Sequence, residues 1–597
     1  MNNSIKIYLS GLCLALSLGA CTDTWNEHYD DAPATAGTAN GSLWEAIAAD
    51  DNLSNFRSVL EATGYDVKLK SSQVFTVFAP TNDQFSQADA QAVIAQYNAE
   101  KGVVADDENG AIKEFIQNHI ALFNHSVSSV SSDTVRMMNG KYMHLTGTGI
   151  EGHQFLGTGT DKPFGHYGNG VLYRLGEKIT YFPNVFEYMN KDEDLSGVAS
   201  FLYDSRFYYP EFQEEESMPG PIVDGRTTYL DSVFQQRNEL FDQLNARLST
   251  EDSTYWMIVP NNAEWERLIA EYDTYFNYHD KVLPTQEERD SLHYMMTRLG
   301  VLSGTAFSRT TLTDRMLAGD SAMSTNAVHN YNSRESFWGH SKYHYYQYNN
   351  ASEIFAGTTD VTCSNGLVKK SSAWPIDKKE TFFQTRIIQA ERGNSVRDLG
   401  YYIDEKKDSV VSTMTSQETV PANTPYYDII SNHRFLLVRP TKDSENPSVT
   451  FNISDVLSNL PYDIYIVMAP AIAADTNAVA TDRLPTRIRC TLYQLQQNGS
   501  EKLFTQASGL EGPGFELGEW ETTQDTIDVF RISPEEGITF DVCSYGLQTE
   551  ATDAQVRLKV ETNVTARERR RETHQRVMRI DCIVLVPHGT PQEEIWY

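Results

Sequence analysis

The sequence predicts an α+β multidomain chain, in which two related α+β domains precede a C-terminal all-β sandwich. Three observations carry that prediction. First, the stretch FTVFAPTNDQF (75–85) returns as YWMIVPNNAEW (255–265), with Phe75, Pro80, Asn82 and Phe85 matched by Tyr255, Pro260, Asn262 and Trp265, each 180 residues on. Four matches at one offset indicate a duplicated unit. Second, from about Glu380 the chain turns to short alternating runs separated by polar turns. HRFLLVRP, SVTFNI, DIYIVMA, RIRCTLYQL, GITFDVC, AQVRLKVE and MRIDCIVLVP are such runs, the pattern of a sandwich. Third, 597 residues with a 40% hydrophobic and 11% aromatic content suffice for several packed cores rather than one.

In chain order, the apolar run Ile7–Ala20 follows Lys6 and is too short to span a bilayer comfortably, so residues 1–20 read as a signal peptide. The run ends Leu18-Gly19-Ala20-Cys21, which resembles a bacterial lipobox; the resemblance implies cleavage before Cys21 and acylation of Cys21. Several acyl chains, at about 0.8 kcal/mol per buried CH2, would hold the protein on a membrane. The alternative is an ordinary secretory signal with an incidental cysteine. Residues 21–41 then form a tether, acidic at first (Asp23, Glu27, Asp30, Asp31) and small-residue-rich after. TDTWNEHYD resembles the start of fasciclin lipoproteins of the Bacteroidetes, where an acidic stretch here looks like a surface-export signal.

The first α+β domain is placed at 42–190 and the second at 191–379. In the repeated phrase an apolar strand runs into proline, which has no N–H to donate, and Thr81-Asn82-Asp83 supply oxygens suited to a helix start. This phrase resembles the first signature of fasciclin-type (FAS1) domains. IQNHIALF (116–123), with His119, is similar to the family's second box, and MMNGKYMHL and NGVLYRLGEKITYFP to its closing strands. The second copy carries MLAGDSAM and NGLVKKSSAWP, but LHYMMTRLGV has no Asn-His pair in register. The offset from Asn169 to Asn365 is 196, so the second copy holds an insertion. QEEESMPGPIVDG (213–225) is expected as a loop, and 231–248 and 264–280 as helices. In the sandwich, placed at 380–597, the opening IIQAE and closing RIDCIVLVP resemble the first and last strands of carbohydrate-binding jelly rolls.

Gly147, Gly149 and Gly152 spell GxGxxG, yet more glycines follow instead of a helix, so a hairpin is expected and a dinucleotide site is not. His340 and His344 have metal-ligand spacing only on a helix, and the tyrosine density around them favours a strand. One row of that strand would be core and the other an exposed aromatic platform, so Trp338, Tyr343, Tyr345, Tyr346 and Tyr348 are the candidate binding surface. By resemblance His119 is structural. Cys363, Cys490, Cys543 and Cys582 lack metal spacing and sit mostly in strand-like runs, which favours buried thiols. Arg567, Arg569, Arg570 and Arg571 are read as a solvated hairpin tip, with docking to anionic lipid or an acidic partner as the alternative.

A net charge of -32 argues against nucleic-acid binding. No G-x-S-x-G elbow and no H-E-x-x-H helix occurs, so no catalytic residue, metal or cofactor is expected. The resemblances together imply a non-catalytic, lipid-anchored protein of the outer membrane, facing the cell surface. It would serve adhesion or the binding of a ligand or partner, as an accessory to a SusC/SusD-type nutrient importer. One alternative is a surface glycan-binding protein that uses the C-terminal sandwich; another is a glycoside hydrolase with unrecognised carboxylates.

Overall fold

The computed structural model describes residues 41–591, apart from 105, 107, 127–131, 158–163, 216, 224–225, 232–233, 281–282, 328–345, 392–400, 404–412, 496–500, 504–515 and 548–555. The chain divides into two compact units between Phe182 and Pro183.

In the first unit a four-stranded sheet runs Ile120–Leu122, Phe75–Pro80, Gly170–Leu175, Phe164–Tyr167. The signature strand Phe75–Pro80 is buried at all six positions and pairs parallel with Gly170–Leu175, Phe75 opposite Gly170 and Pro80 opposite Leu175. A parallel pair needs a long crossover, and here it encloses the helix Gln87–Glu100 and the second box. The second unit builds the same sheet from Ala306–Ser308, Tyr255–Pro260, Gly366–Ser371 and Thr359–Cys363. Tyr255 lies opposite Gly366 and Pro260 opposite Ser371, the identical register.

The ties around the pair also repeat. Asn169 accepts the Leu43 N–H (2.7 Å) and donates to the Leu69 and Ser71 carbonyls (2.9 and 2.8 Å). Asn365 accepts the Val185 N–H (2.8 Å) and donates to the Leu248 and Thr250 carbonyls (2.9 and 2.8 Å). The next residue, Gly170 or Gly366, has φ near +145°, and a Cβ there would lie under 2 Å from the carbonyl oxygen of Phe75 or Tyr255. Only glycine fits. The opening helices, Leu43–Ala49 and Val185–Lys191, carry matching capping boxes, Ser42 with Glu45 and Asn184 with Glu187. The helix Val185–Lys191, which fell at the end of the expected first domain, therefore opens the second unit.

Several local expectations are corrected. After Pro80 the helix does not begin at Thr81-Asn82-Asp83 but at Gln87, capped by Ser86. Asn82 is spent otherwise: it donates to the Asp51 carbonyl (2.8 Å) and accepts the Asn55 N–H (3.1 Å). In the second copy Asn261 caps the helix Asn262–Tyr272, and Asn262 makes the corresponding tie to the Glu193 carbonyl (2.9 Å) and the Gly197 N–H (2.9 Å). The stretch 213–225 contains a strand, Met218–Val223, in a hairpin with Arg226–Asp231. The stretch 231–248 splits into the strand Phe234–Asn238 and the helix Glu239–Leu244, because Asn238 turns its side chain onto the Leu240 N–H as a cap.

His119 is fully buried. Its Nδ1 lies 2.7 Å from the Phe115 carbonyl and its Nε2 accepts the Ile179 N–H at 2.9 Å, so both ring nitrogens of the neutral imidazole are used. Burial pushes its pKa down to about 4. In the second copy Thr305 takes this backbone position: Ile258 donates to Thr305 as Phe78 donates to His119.

Beyond Glu380 the strands form two antiparallel sheets. One has seven strands, with Met578–Pro587 central; the other has six, with Val556–Thr562 and Arg487–Leu495 central. Arg386–Gln389 and Met578–Pro587, the strands resembling jelly-roll ends, are direct neighbours, Gln389 opposite Cys582. Their inward rows, among them Val449, Phe451, Ile464, Leu558 and Ile580, belong to one continuous core with Val198, Leu240, Met257 and Leu302 of the same unit.

Two outcomes are expected. Asn365→Ala leaves a buried N–H and two carbonyls without their partner, each worth about 1–3 kcal/mol. Urea denaturation of the variant should show the second unit weakened by several kcal/mol and the first unchanged. For His119, the unfolded imidazole takes a proton near pH 6.5 and the folded one only near 4, so the unfolded chain binds more protons between. The contribution is intact above pH 6.5 and is lost as pH falls toward 4, about 3 kcal/mol in all. Denaturation at pH 7, 5.5 and 4.5 should show that step, and His119→Gln should remove it.

Candidate ligand-binding cleft

The second unit contains a cleft of about 390 Å3 between a helix and the two-sheet region. The helix, Gln286–Leu302, starts at a capping box formed by Thr285 and Glu288. Leu292, Met295, Met296 and Leu299 recur at helical spacing and make one wall. Gly300 lets the helix backbone rest on Phe276, whose ring carbons would lie 3.4 Å from a Cβ there. His293 holds the helix in place, one ring nitrogen 2.9 Å from the Phe276 carbonyl and the other 2.8 Å from Asp273.

Phe276 is where the long helix expected over 264–280 departs from expectation. The α-helix ends at Tyr272, one 3-10 turn (Asp273–Tyr275) follows, and 275–278 bonds to the sheets instead. Ser458 donates its N–H to the Tyr275 carbonyl (3.0 Å) and accepts the Asn277 N–H on Oγ (3.0 Å). Cys543 donates to the Asn277 carbonyl (2.7 Å), and the Tyr278 hydroxyl donates to the Tyr545 carbonyl (3.0 Å). These bonds fix the opposite wall, which Arg386, Asp455, Tyr545 and Gly546 supply.

Two charged side chains, Arg386 and Asp455, line that wall. The Arg386 guanidinium lies 5.1 Å from the centre of the Tyr545 ring. Asp455, in the left-handed region at φ 57°, accepts the Gly546 N–H at 3.4 Å. Tyr346 closes the floor beside Phe382. Burial, with the Tyr545 hydroxyl beside it, raises the Tyr346 phenol well above its usual range, so it stays protonated. Among the described residues the cleft offers apolar surface, the Arg386 guanidinium, the Asp455 carboxylate, the Tyr346 phenol and the polar side chains of Gln243, Ser303 and Asn326, and no nucleophile–base pair.

Of the residues picked from sequence, Tyr346 and Tyr348 are described, and both are buried at 6% and 0% exposure. This corrects their assignment to an exposed platform. The Tyr348 hydroxyl donates to the Gly304 carbonyl (2.9 Å), which turns the ring into the core. Trp338, Tyr343, Tyr345, His340 and His344 lie outside the described residues, as does Cys21. The four remaining cysteines are buried and unbridged, and burial pushes the Cys543 thiol up to about 12. Gly147, Gly149 and Gly152 belong to a run of antiparallel hairpins over 132–154. The arginine cluster forms the short helix Ala566–Arg570, in which Arg569 pairs with Asp443 at 3.0 Å. Among the described residues no group of three His, Cys, Asp or Glu side chains could hold a metal. Sequence reading missed Met295, Met296, Arg386, Asp455 and Tyr545; only the methionine pair on an amphipathic helix carried a readable signal.

Residues 51–160 match the model of the fasciclin domain. No curated protein matches the chain. Among solved structures, the CBM22-1 xylan-binding domain of Paenibacillus barcinonensis Xyn10C is similar over 34% of this chain and 95% of its own, at 10% identity and a TM-score of 0.20. A FAS1 domain pair from the insect cell adhesion molecule Fasciclin I is similar over 56% of this chain and 97% of its own, at 11% identity and a TM-score of 0.18. At those scores neither likeness carries an argument about fold or ligand. The chain contains a fasciclin domain at 51–160.

Proposed function

We propose that the chain is a non-catalytic recognition protein, lipid-anchored through Cys21 on the outer membrane and facing the cell surface. In this reading it carries two fasciclin-type domains and a C-terminal sandwich, and it serves adhesion or partner binding beside a SusC/SusD-type importer. The observation that supports it most is the fasciclin match at 51–160, joined to the recurrence of the same sheet, register and asparagine ties in the second unit. A fasciclin domain suggests binding rather than turnover, and the chain displays no assembled reactive centre among its described residues.

The expected outcome is that a pull-down of the tagged chain from detergent-solubilised native membranes recovers an importer. Cys21→Ser should shift the chain to the soluble fraction and lose that partner. Recovery of no membrane protein would remove the importer reading, and membrane retention of Cys21→Ser would remove the anchor.

A second reading, glycan binding by the C-terminal sheets, is favoured by the adjacency of Arg386–Gln389 and Met578–Pro587, the two strands that carry the jelly-roll resemblance. Its test uses residues 183–597, since a cut at 380 would divide one continuous core. Retention on immobilised polysaccharide supports this reading, and release of products from the same panel would point to a hydrolase.

A further inference from the structure

We propose that the strand Thr413–Thr419 is an interaction edge, against which a second copy of this chain lays its own Thr413–Thr419 antiparallel. This contact is independent of which other protein the chain docks to.

The strand lies at one end of the seven-stranded sheet and pairs with Arg434–Pro440 over its whole length without a register shift. In an antiparallel pair, successive residues turn their backbone groups alternately toward the neighbour and away from it. Val420, next in the same register, donates its N–H to the His433 carbonyl (2.8 Å). Met414, Ser416 and Glu418 therefore face Arg434–Pro440, while Thr413, Thr415, Gln417 and Thr419 aim N–H and C=O outward. Among the described residues none of these outward backbone groups has a hydrogen-bond partner. Such an open row is a template for another strand, and proteins blunt it with lysine, proline, a bulge or a short length. The opposite edge of this sheet, Asp528–Arg531, is short and charged at both ends. Thr413–Thr419 has seven residues, no lysine, no proline and no bulge, and Glu418 is its one charge. Met414, Gln417 and Thr419 are exposed.

The strand's own sequence, TMTSQET, selects the second copy as its occupant. A two-fold contact has to be self-complementary, and antiparallel pairing centred on Ser416 is. It sets Thr415 of each copy against Gln417 of the other and Thr413 against Thr419. All four carry outward-facing backbone groups, so every such pair exchanges two hydrogen bonds. Glu418 falls opposite Met414 and Ser416 opposite its own counterpart, so no charge meets its like. The pairing also covers Met414, which is 51% exposed in one copy. The full chain works against self-association with its net charge of -32, a repulsion that salt screens.

The test is sedimentation velocity on the chain from residue 21 onward carrying Cys21→Ser, so that no acyl chain contributes to association. A dimer should form as concentration rises through the micromolar range, and more readily at high salt than at low. Ser416→Lys sets two like charges face to face on the two-fold axis and should weaken the dimer about tenfold or more, as should Ser416→Glu. Mixing those two variants should restore it, a rescue that loss of folding cannot imitate. Cross-linking checks the register. Residues opposite each other outside the bonded pairs have Cα atoms about 4.5 Å apart, within disulfide reach, so Ser416→Cys should join two copies under mild oxidation. Met414→Cys is just as accessible but stands opposite Glu418, and it should not cross-link; the four native cysteines of the described residues are buried. The melting temperature of each variant checks its fold. A monomer at every concentration and salt, a dimer unchanged by Ser416→Lys, no restoration on mixing, or equal cross-linking at 414 and 416 would each overturn the proposal.

Discussion

In each unit one buried asparagine side chain joins three pieces of backbone that the sequence keeps far apart. Asn169 gathers the start of the opening helix, the end of the helical layer and the turn into the closing strand; Asn365 does the same in the second unit. A parallel strand pair gains little from local contacts and must close a long loop before it is rewarded. The asparagine supplies that closure with three hydrogen bonds in a site closed to water, where their loss would leave unpaired groups. The glycine beside it admits the neighbouring strand at a distance no side chain allows. The rest of each unit can vary around this knot, and it does. Between the opening helix and the signature strand the second copy is 38 residues longer, since its helix starts 142 residues after the first copy's and its strand 180 after. Loop closure entropy rises only slowly with length, so this insertion is tolerated while the knot stays intact.

The second unit differs in where its apolar surface goes. The first unit packs cores of its own, one under the opening helices and one around Phe78, Tyr173 and Leu145. The second runs its core without a break into the two sheets. The stretch 275–278 makes that continuity possible, because after one 3-10 turn (Asp273–Tyr275) its groups bond to Ser458, Cys543 and Tyr545 instead of continuing the helix. The amphipathic pattern of 264–280 is therefore real in its apolar content and misleading in its geometry. Phe276 is buried, as a helical reading demands, but on a different surface.

Legibility follows from the same distinction between local and distant causes. The repeated signature and the alternation beyond Glu380 were both readable, since each is written in contiguous residues with a fixed spacing. The extent of the helices was less so: one polar side chain, Asn82 or Asn238, decides whether a turn becomes a cap or a tie, and periodicity does not register that choice. The cleft was not legible at all. Met295 and Tyr545 stand far apart in sequence, and each is ordinary in its own neighbourhood. Tyr346 and Tyr348 stood out by composition, and burial took both into the interior.

The loss of the box histidine in the second copy fits this division. In the first unit His119 stitches Phe115 to Ile179 and so pins the stretch after the closing strand onto the second box. That stitch requires a neutral, fully buried ring, which is costly to keep at acid pH. In the second unit Thr305 holds the corresponding backbone position, and its hydroxyl reaches only the local Leu302 carbonyl (2.8 Å). The long-range tie is replaced from outside: Phe382 and Phe383, just beyond the closing strand, enter the core that the sheets share. A framework that leans on a neighbouring layer can forgo an internal staple. The seam between the two layers is also where the helix Gln286–Leu302 is left incompletely covered, and where the cleft opens.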